Sequence, residues 1–221
     1  MEILYKDKNL VAVFKPAGIP SQPDPSGDDD AITLSSLLLK ESGEKNTELY
    51  PVHRLDRVVG GILVFARNRN SAAKLSELVA QNGMEKEYLA VVEGDANGGI
   101  LTDFLYKDAR AGKTFVVDRM RAGVKKASLE YVPILKKDTE NGIRTLVRIK
   151  LHTGRFHQIR AQLSARKLFI VGDGKYGSRD NKARMPALFA HRLSFELDGS
   201  KYEFEKNPDT QNYPWSIFNY D

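Results

Sequence analysis

A single acid, Asp56, sits between Arg54 and Arg57 in the stretch HRLDRVVGGILVFAR, which runs from His53 to Arg67. A carboxylate beside a guanidinium keeps a low pKa and stays ionised, which suits a nucleophile better than a general acid. The glycine pair Gly60-Gly61 then leads into an apolar run that fits a buried strand. The same residues would also make an ordinary surface ion pair ahead of a core strand. Two further residues stand out. Tyr88 lies in the alternating segment EKEYLAVVEG, and Arg160 lies in HTGRFHQIRAQLSARKL, which reads as strand, turn at Gly154, and helix from Phe156 onward. Arg155, His157 and Arg160 would gather at the start of that helix, where backbone N–H groups and the helix dipole favour an anion. A buried arginine there needs a carboxylate, and Asp56 is a candidate; a helix held down by surface arginines is the plainer alternative.

Other chemistries are poorly provided for. There are no cysteines, which excludes disulfides, thiolate nucleophiles and Cys-ligated zinc. The four histidines, His53, His152, His157 and His191, include no i,i+4 pair of the kind that holds zinc on a helix. No second acid matches Asp56 for glycosidase-type catalysis, and there is no GxSxG. The loop FIVGDGKY lacks the GKS or GKT ending of a P-loop and is not GxGxxG, so a nucleotide cofactor is not expected. No run approaches the roughly 18 apolar residues of a membrane helix, and MEILYKDKN has no signal-peptide core, so a cytoplasmic protein is expected. With 34 Lys and Arg against 29 Asp and Glu, the net charge is +5 and the pI near 9.2, a modest excess that suits a polyanionic partner.

The elements that must position these residues follow from patterning. Ile3 to Tyr5 and Leu10 to Lys15 read as a hairpin, followed by a turn at KPAGIP and an exposed, mobile loop from Ser21 to Asp30. Ala31 to Glu41 reads as a helix ended by Gly43, with Ile32, Leu34, Leu37 and Leu38 as its core face. Ile62 to Ala66 is a central strand. Asn68 or Asn70 caps a helix from Ser71 to Gln81 that buries Ala72, Leu75 and Val79, with Gly83 at its C′ position. Between Gly94 and Lys126 only a short strand at Thr114 to Val117 is legible; the cations Lys107, Arg110, Lys113, Arg119, Arg121, Lys125 and Lys126 there could track a phosphate backbone. Leu129 to Leu135 and Ile143 to Leu151, joined by the polar KKDTENG, read as a second hairpin. Leu188 to Leu197 and Lys201 to Glu205 flank Asp198-Gly199, a type I′ turn signal, and Tyr213, Trp215 and Phe218 close the chain, packing on the core or offering bases a stacking surface.

Taken together, HRLD, KEYLAVVEG, HTGRFHQIR and VGDGKYG, with KPAG early and AHRLSF late, resemble the RluA-type family of RNA pseudouridine synthases. The resemblance spans nearly the whole chain; each motif is weak alone and their order is specific. It implies one α+β catalytic domain over 1–221, a largely antiparallel mixed sheet flanked by helices, and a central catalytic cleft. It also implies isomerisation of uridine to pseudouridine within structured RNA, ribosomal or transfer, without cofactor or metal. Carried over, Asp56 matches the nucleophile, Tyr88 the tyrosine that stacks on the target base, and Arg160 the arginine paired with the aspartate. Arg54 matches a position associated with the flipped nucleotide, and His53, Arg57, Arg155 and His157 complete the expected RNA and substrate contacts.

The target base must leave its helix or be presented by a loop before its N1–C1′ bond can be broken and C5 attached. Whether the aspartate adds to C6 or acts at C1′ stays open, as do the final base and the oligomeric state. Many family members read xxTSG after HRLD, whereas this chain has Arg57-Val58-Val59-Gly60-Gly61, so hydroxyls that could hold the loop are missing. With no S4-type segment before the first hairpin, RNA choice is expected to rest on the one domain and its basic loops. A non-catalytic RNA-binding protein with the same fold, and a cofactor-free hydrolase of a small phosphorylated molecule, are the competing readings.

Overall fold

The computed structural model describes residues 1–218. In chain order these form β1 (Glu2–Lys6), β2 (Leu10–Lys15), α1 (Ala31–Glu41), β3 (Tyr50–Pro51), β4 (Gly60–Ala66), α2 (Arg69–Ala80) and β5 (Glu85–Glu93). Then come β6 (Gly99–Asp108), β7 (Lys113–Val117), β8 (Val124–Thr139), β9 (Gly142–Leu151), α3 (Gln158–Ser164), β10 (Leu188–Leu197) and β11 (Ser200–Glu205), with short 3-10 turns at Gly174–Tyr176 and Trp215–Ile217. This is an α+β fold of largely antiparallel strands with three helices, as the sequence led us to expect. The residues fall into two compact units, Met1–Lys86 with Ala190–Asn207, and Glu87–Phe189 with the segment from Pro208.

In the first unit the strands run in the order β1-β2-β4-β10, with β11 on β10 and β3 on β4. All seven residues of β4 are buried, and its partner β2 is nearly so. Such two-sided burial is why both read as continuous apolar runs instead of alternating ones. Leu75 of α2 packs with Ile62, Val64, Leu193, Phe195 and Phe204, so the strand that follows Asp56 is anchored in the main core of its unit. Asp30 caps α1 by accepting from the backbone N–H groups of Ile32 (2.9 Å) and Thr33 (3.2 Å), worth about 1 kcal/mol. The buried face of α1 is Ala31, Ser35 and Leu39, and Leu37 is half exposed, so the expected leucine stripe is corrected. The tight contact line is the i,i+4,i+8 row Ala31, Ser35 and Leu39, in which the Ser35 hydroxyl donates back to Ala31 O. Asn68 caps α2; the left-handed residue at its end is Asn82, not Gly83. Gly83 N–H and Asn82 N–H bond to Leu78 O and Val79 O, the paired closure of a Schellman turn.

The second unit runs β5-β9-β8-β6-β7. Here the structure adds what the sequence did not reveal: β6 and the early start of β8 fill much of the region between Gly94 and Lys126. Along β6, Leu101, Asp103 and Leu105 share a face, and Asp103 accepts from Gln162 Nε2 (2.7 Å) and from Arg166 Nη1 (2.7 Å) and Nη2 (3.0 Å). An ion-paired acid at an inward position removes the alternation that would have betrayed the strand. The polar KKDT, expected as loop, continues β8 to Thr139, opposite Gly142, so the turn is only Glu140-Asn141. In the first unit, between β10 and β11, Asp198 (φ 52°) and Gly199 (φ 76°) adopt the two left-handed conformations that their type I′ turn requires.

Candidate active site

The loop that carries Asp56 hangs from β4 and is held by the segment Lys15 to Ser21. Within it, Val59 N–H closes a turn on Asp56 O (2.9 Å). Gly18 N–H (2.8 Å) and Lys15 Nζ (3.3 Å) both donate to Arg57 O, and the Ser21 hydroxyl bonds Leu55. Asp56 is half-buried and Arg54 exposed. At Gly61 (φ 126°) a side-chain carbon would lie 2.3 Å from Ala190 O and 2.5 Å from Ala190 N, so the glycine is required where two backbones meet.

Lys15 is the residue that sequence reasoning missed here. Ending an apolar strand, it looks like a solvent-facing lysine, yet it is fully buried. Its ammonium donates to Ile19 O (2.7 Å), Pro16 O (3.1 Å) and Arg57 O, which together use its three N–H bonds. Burial is the main cause that lowers its pKa to about 8; the negative charge of Asp56 opposes that shift and the positive charge of Arg57 adds to it. A buried cation thus acts on the candidate nucleophile from within its own unit.

His53 Nε2 accepts from Val64 N–H (3.1 Å). Desolvation, with the Lys86 charge added, holds its pKa well below the ordinary imidazole value, so the ring is neutral. Arg57 clasps the exposed loop before α1: Nε donates to Gly18 O (3.0 Å), Nη1 to Ser26 Oγ (3.1 Å) and Nη2 to the Asp28 carboxylate, with Asp24 3.9 Å away. That loop is exposed from residue 22 to 29, as expected, and it is tethered at both ends and in the middle.

In the second unit, Tyr88 lies on β5, 8% exposed. Arg160 is buried on α3, and its unit supplies a carboxylate that the sequence reading overlooked. Arg160 Nε and Nη2 donate to the two oxygens of Asp173 at 2.6 and 2.8 Å, a bidentate fork. Arg160 Nη1 meets His157 Nε2 at 3.1 Å, and the guanidinium lies 4.9 Å from the Tyr176 ring centre. Because arginine only donates, His157 Nε2 accepts and the ring proton sits on Nδ1, 3.0 Å from Tyr176 Oη, which also accepts from Thr114 N–H (2.8 Å). His157 is left-handed (φ 51°) and stacks on Phe156, ring centres 3.8 Å apart.

The helix begins at Gln158, later than expected, and has seven residues. Its first turn is occupied by this side-chain network, so the anion-binding corner is filled by Asp173. Arg155 stands apart, its Nε donating to Lys126 O (3.2 Å). The structure therefore joins His157 to Arg160, ties Arg57 to the loop before α1, and gives His53 a place inside the fold. The signal for Asp173 lay in VGDGKYG, where two flanking glycines make an acid look like loop filler.

Residues 9–165 match the RNA pseudouridylate synthase family, and the chain belongs to it. It is 32% identical over 214 residues to ribosomal large subunit pseudouridine synthase D of Borreliella burgdorferi, covering 92% of this chain and 63% of that relative's length. It is 31% identical over 199 residues to tRNA pseudouridine synthase C of Haemophilus ducreyi, covering 84% of this chain and 77% of the relative. Among solved structures, human RNA pseudouridylate synthase domain containing 4 superposes with a TM-score of 0.76 at 26% identity, over 94% of this chain and 89% of that one. No helix among the described residues is long and apolar enough to cross a membrane.

Proposed function

We propose that this chain works as one catalytic domain, with a cleft holding Asp56, and isomerises a uridine to pseudouridine in structured ribosomal or transfer RNA, in the cytoplasm and without cofactor or metal. The observation that carries the reading is Asp56 itself: an acid on a loop whose backbone is pinned on both sides and beside which a fully buried ammonium, Lys15, is held. Family membership supplies the reaction, and the relatives named for ribosomal and transfer RNA supply the substrate class.

Asp56 is assigned as the nucleophile that adds to C6 of uracil or acts at C1′ of the ribose, and either role needs it ionised. Arg160, whose fork is fixed by Asp173, is assigned as its charge partner, and Tyr88 as the ring that stacks on the flipped base, a contact worth about 1–3 kcal/mol. Arg54, Arg57 and Arg155 contact the RNA, and His53 and His157 complete the substrate-binding set through the loops they shape. The base is released at N1, turned while held, and rejoined through C5, which gives up its proton while N1 ends protonated; no net electron or water is consumed, so the chemistry calls for no redox group.

Mapping pseudouridines in total RNA from cells with and without the protein tests the reading, and a site that disappears names the substrate. Asp56→Asn is expected to bring product below detection while the affinity for that RNA stays within about twofold. Retained isomerisation in this variant defeats the assignment, and binding without isomerisation by the unaltered chain points to a non-catalytic RNA-binding protein.

A further inference from the structure

The segment Val52 to Gly60, VHRLDRVVG, has no side-chain hydroxyl or amide. Hydroxyls and amides commonly fix turns by bonding to nearby backbone, and this segment contains neither. Apart from the Val59 to Asp56 bond, the backbone bonds on either side of the acid come from outside. On the C-terminal side, Arg57 O is held by Gly18 and Lys15. On the N-terminal side the work falls to one hydroxyl. Ser21 Oγ accepts from Leu55 N–H (3.0 Å) and donates to Leu55 O (2.8 Å), and Ser21 is 7% exposed.

We propose that Ser21 is a positioning residue for Asp56, supplying from a neighbouring loop the hydroxyl that the nucleophile loop lacks. Both polar groups of Leu55 converge on one oxygen, so the residue is fixed at both of its peptide units. The second of these peptides, Leu55 C=O, is the one that joins Asp56. Only a group that is donor and acceptor at once, small and uncharged, can do this in a buried place, and among side chains that means a serine or threonine hydroxyl. Ser21 is itself held where the chain turns back: Ala31 N–H bonds to Pro20 O (2.9 Å), so the 21–30 loop leaves and returns at one point. Asp30 caps α1 from the same place. The brace is thus rooted in a helix start and not in the exposed part of the loop.

The inference rests on Asp56 being the nucleophile, and its test separates the two. Ser21→Val and Ser21→Thr have nearly the same shape and differ in the hydroxyl. With an RNA substrate, Ser21→Val is expected to lose about 10- to 100-fold in kcat with KM and RNA affinity within about twofold, and Ser21→Thr to recover most of the loss, because small misplacements of a reacting group act on the chemical step. In parallel, hydrogen exchange at the Leu55 amide should quicken at least tenfold in Ser21→Val and stay near the parent rate in Ser21→Thr. Equal kcat in the two variants, a loss matched by the folded fraction, or unchanged Leu55 protection overturns the proposal. Should the unaltered chain form no pseudouridine in any RNA, the assigned reaction fails, and the exchange measurement alone decides the brace.

Discussion

The loop that carries Asp56 and the corner that carries Arg160 are built on opposite principles. Around Asp56 the fold works through the main chain: carbonyls, N–H groups, one hydroxyl and a buried ammonium whose hydrogen bonds all go to backbone oxygens. Around Arg160 it works through side chains: a carboxylate fork, a neutral histidine and a tyrosine ring, with arginine and aspartate 4% and 1% exposed. A buried charge depends strongly on its partner, because desolvation is large and is offset only while the pairing is intact. A loop held by dispersed neutral bonds loses a little with each one removed. The two regions should therefore respond very differently to single substitutions.

The largest effect is expected at the corner. Asp173→Asn leaves the Arg160 guanidinium buried opposite a neutral amide, and Arg160→Ala leaves the Asp173 carboxylate buried alone. Each should cost about 3–5 kcal/mol, read by urea or thermal unfolding. Arg160→Ala should also abolish isomerisation. A cost below 1 kcal/mol for Asp173→Asn would erase the contrast between the regions.

An intermediate effect is expected at Lys15, and it carries a sign in pH. Lys15→Met strips Ile19 O and Pro16 O of their ammonium donor, at about 1–3 kcal/mol. The folded chain gives up the Lys15 proton near pH 8 and the unfolded chain holds it to 10.5. Between those values the unfolded state binds more protons, so the burial penalty on Lys15 is complete below pH 8 and fades as pH climbs to 10.5. Lys86, also lowered to about 8 by burial, titrates in both proteins and cancels in the difference. The stability gap between the parent and Lys15→Met should thus widen with pH across that window, measured as denaturant midpoints from pH 7 to 10.5. A constant gap would mean that the ammonium is not desolvated and would remove Lys15 from the account of Asp56.

What could be read in advance follows the same division. Main-chain devices leave local marks: the apolar period closed by Gly43 gave α1 its extent, and Asp198-Gly199 gave the terminal turn its type. Side-chain pairing across a distance leaves none. Asp103 hid β6 because its partners lie about sixty residues away, and Asp173 was masked by its glycines although it sits only 13 residues from Arg160. Asp56, Tyr88 and Arg160 are assigned their roles through motif order, which names residues without showing what holds them. The burial of Lys15 and Ser21 was hidden for another reason. A lysine ending a strand and a serine opening a polar loop have unremarkable neighbours, and only folding shows that both are buried.

The smallest effect concerns Arg57, a side chain of the Asp56 loop that behaves like the corner. It gathers Gly18, Ser26 and Asp28, yet its side chain is 44% exposed and that of Asp28 55%. Solvent screens such a pair, so Arg57→Ala should cost under about 1 kcal/mol, with the difference shrinking as salt is raised. What it should change is the loop: with the clasp gone, residues 22–29 keep only their anchors at Ser21 and Asp30, and protease cleavage there should accelerate several-fold while the global melting temperature barely moves. The acids it holds, Asp24 and Asp28, would then face an incoming phosphate backbone without their arginine, so RNA affinity should fall and its salt dependence should weaken by about one phosphate contact. Loss of affinity without faster cleavage would make Arg57 a plain phosphate contact; faster cleavage at unchanged affinity would make it purely a clasp.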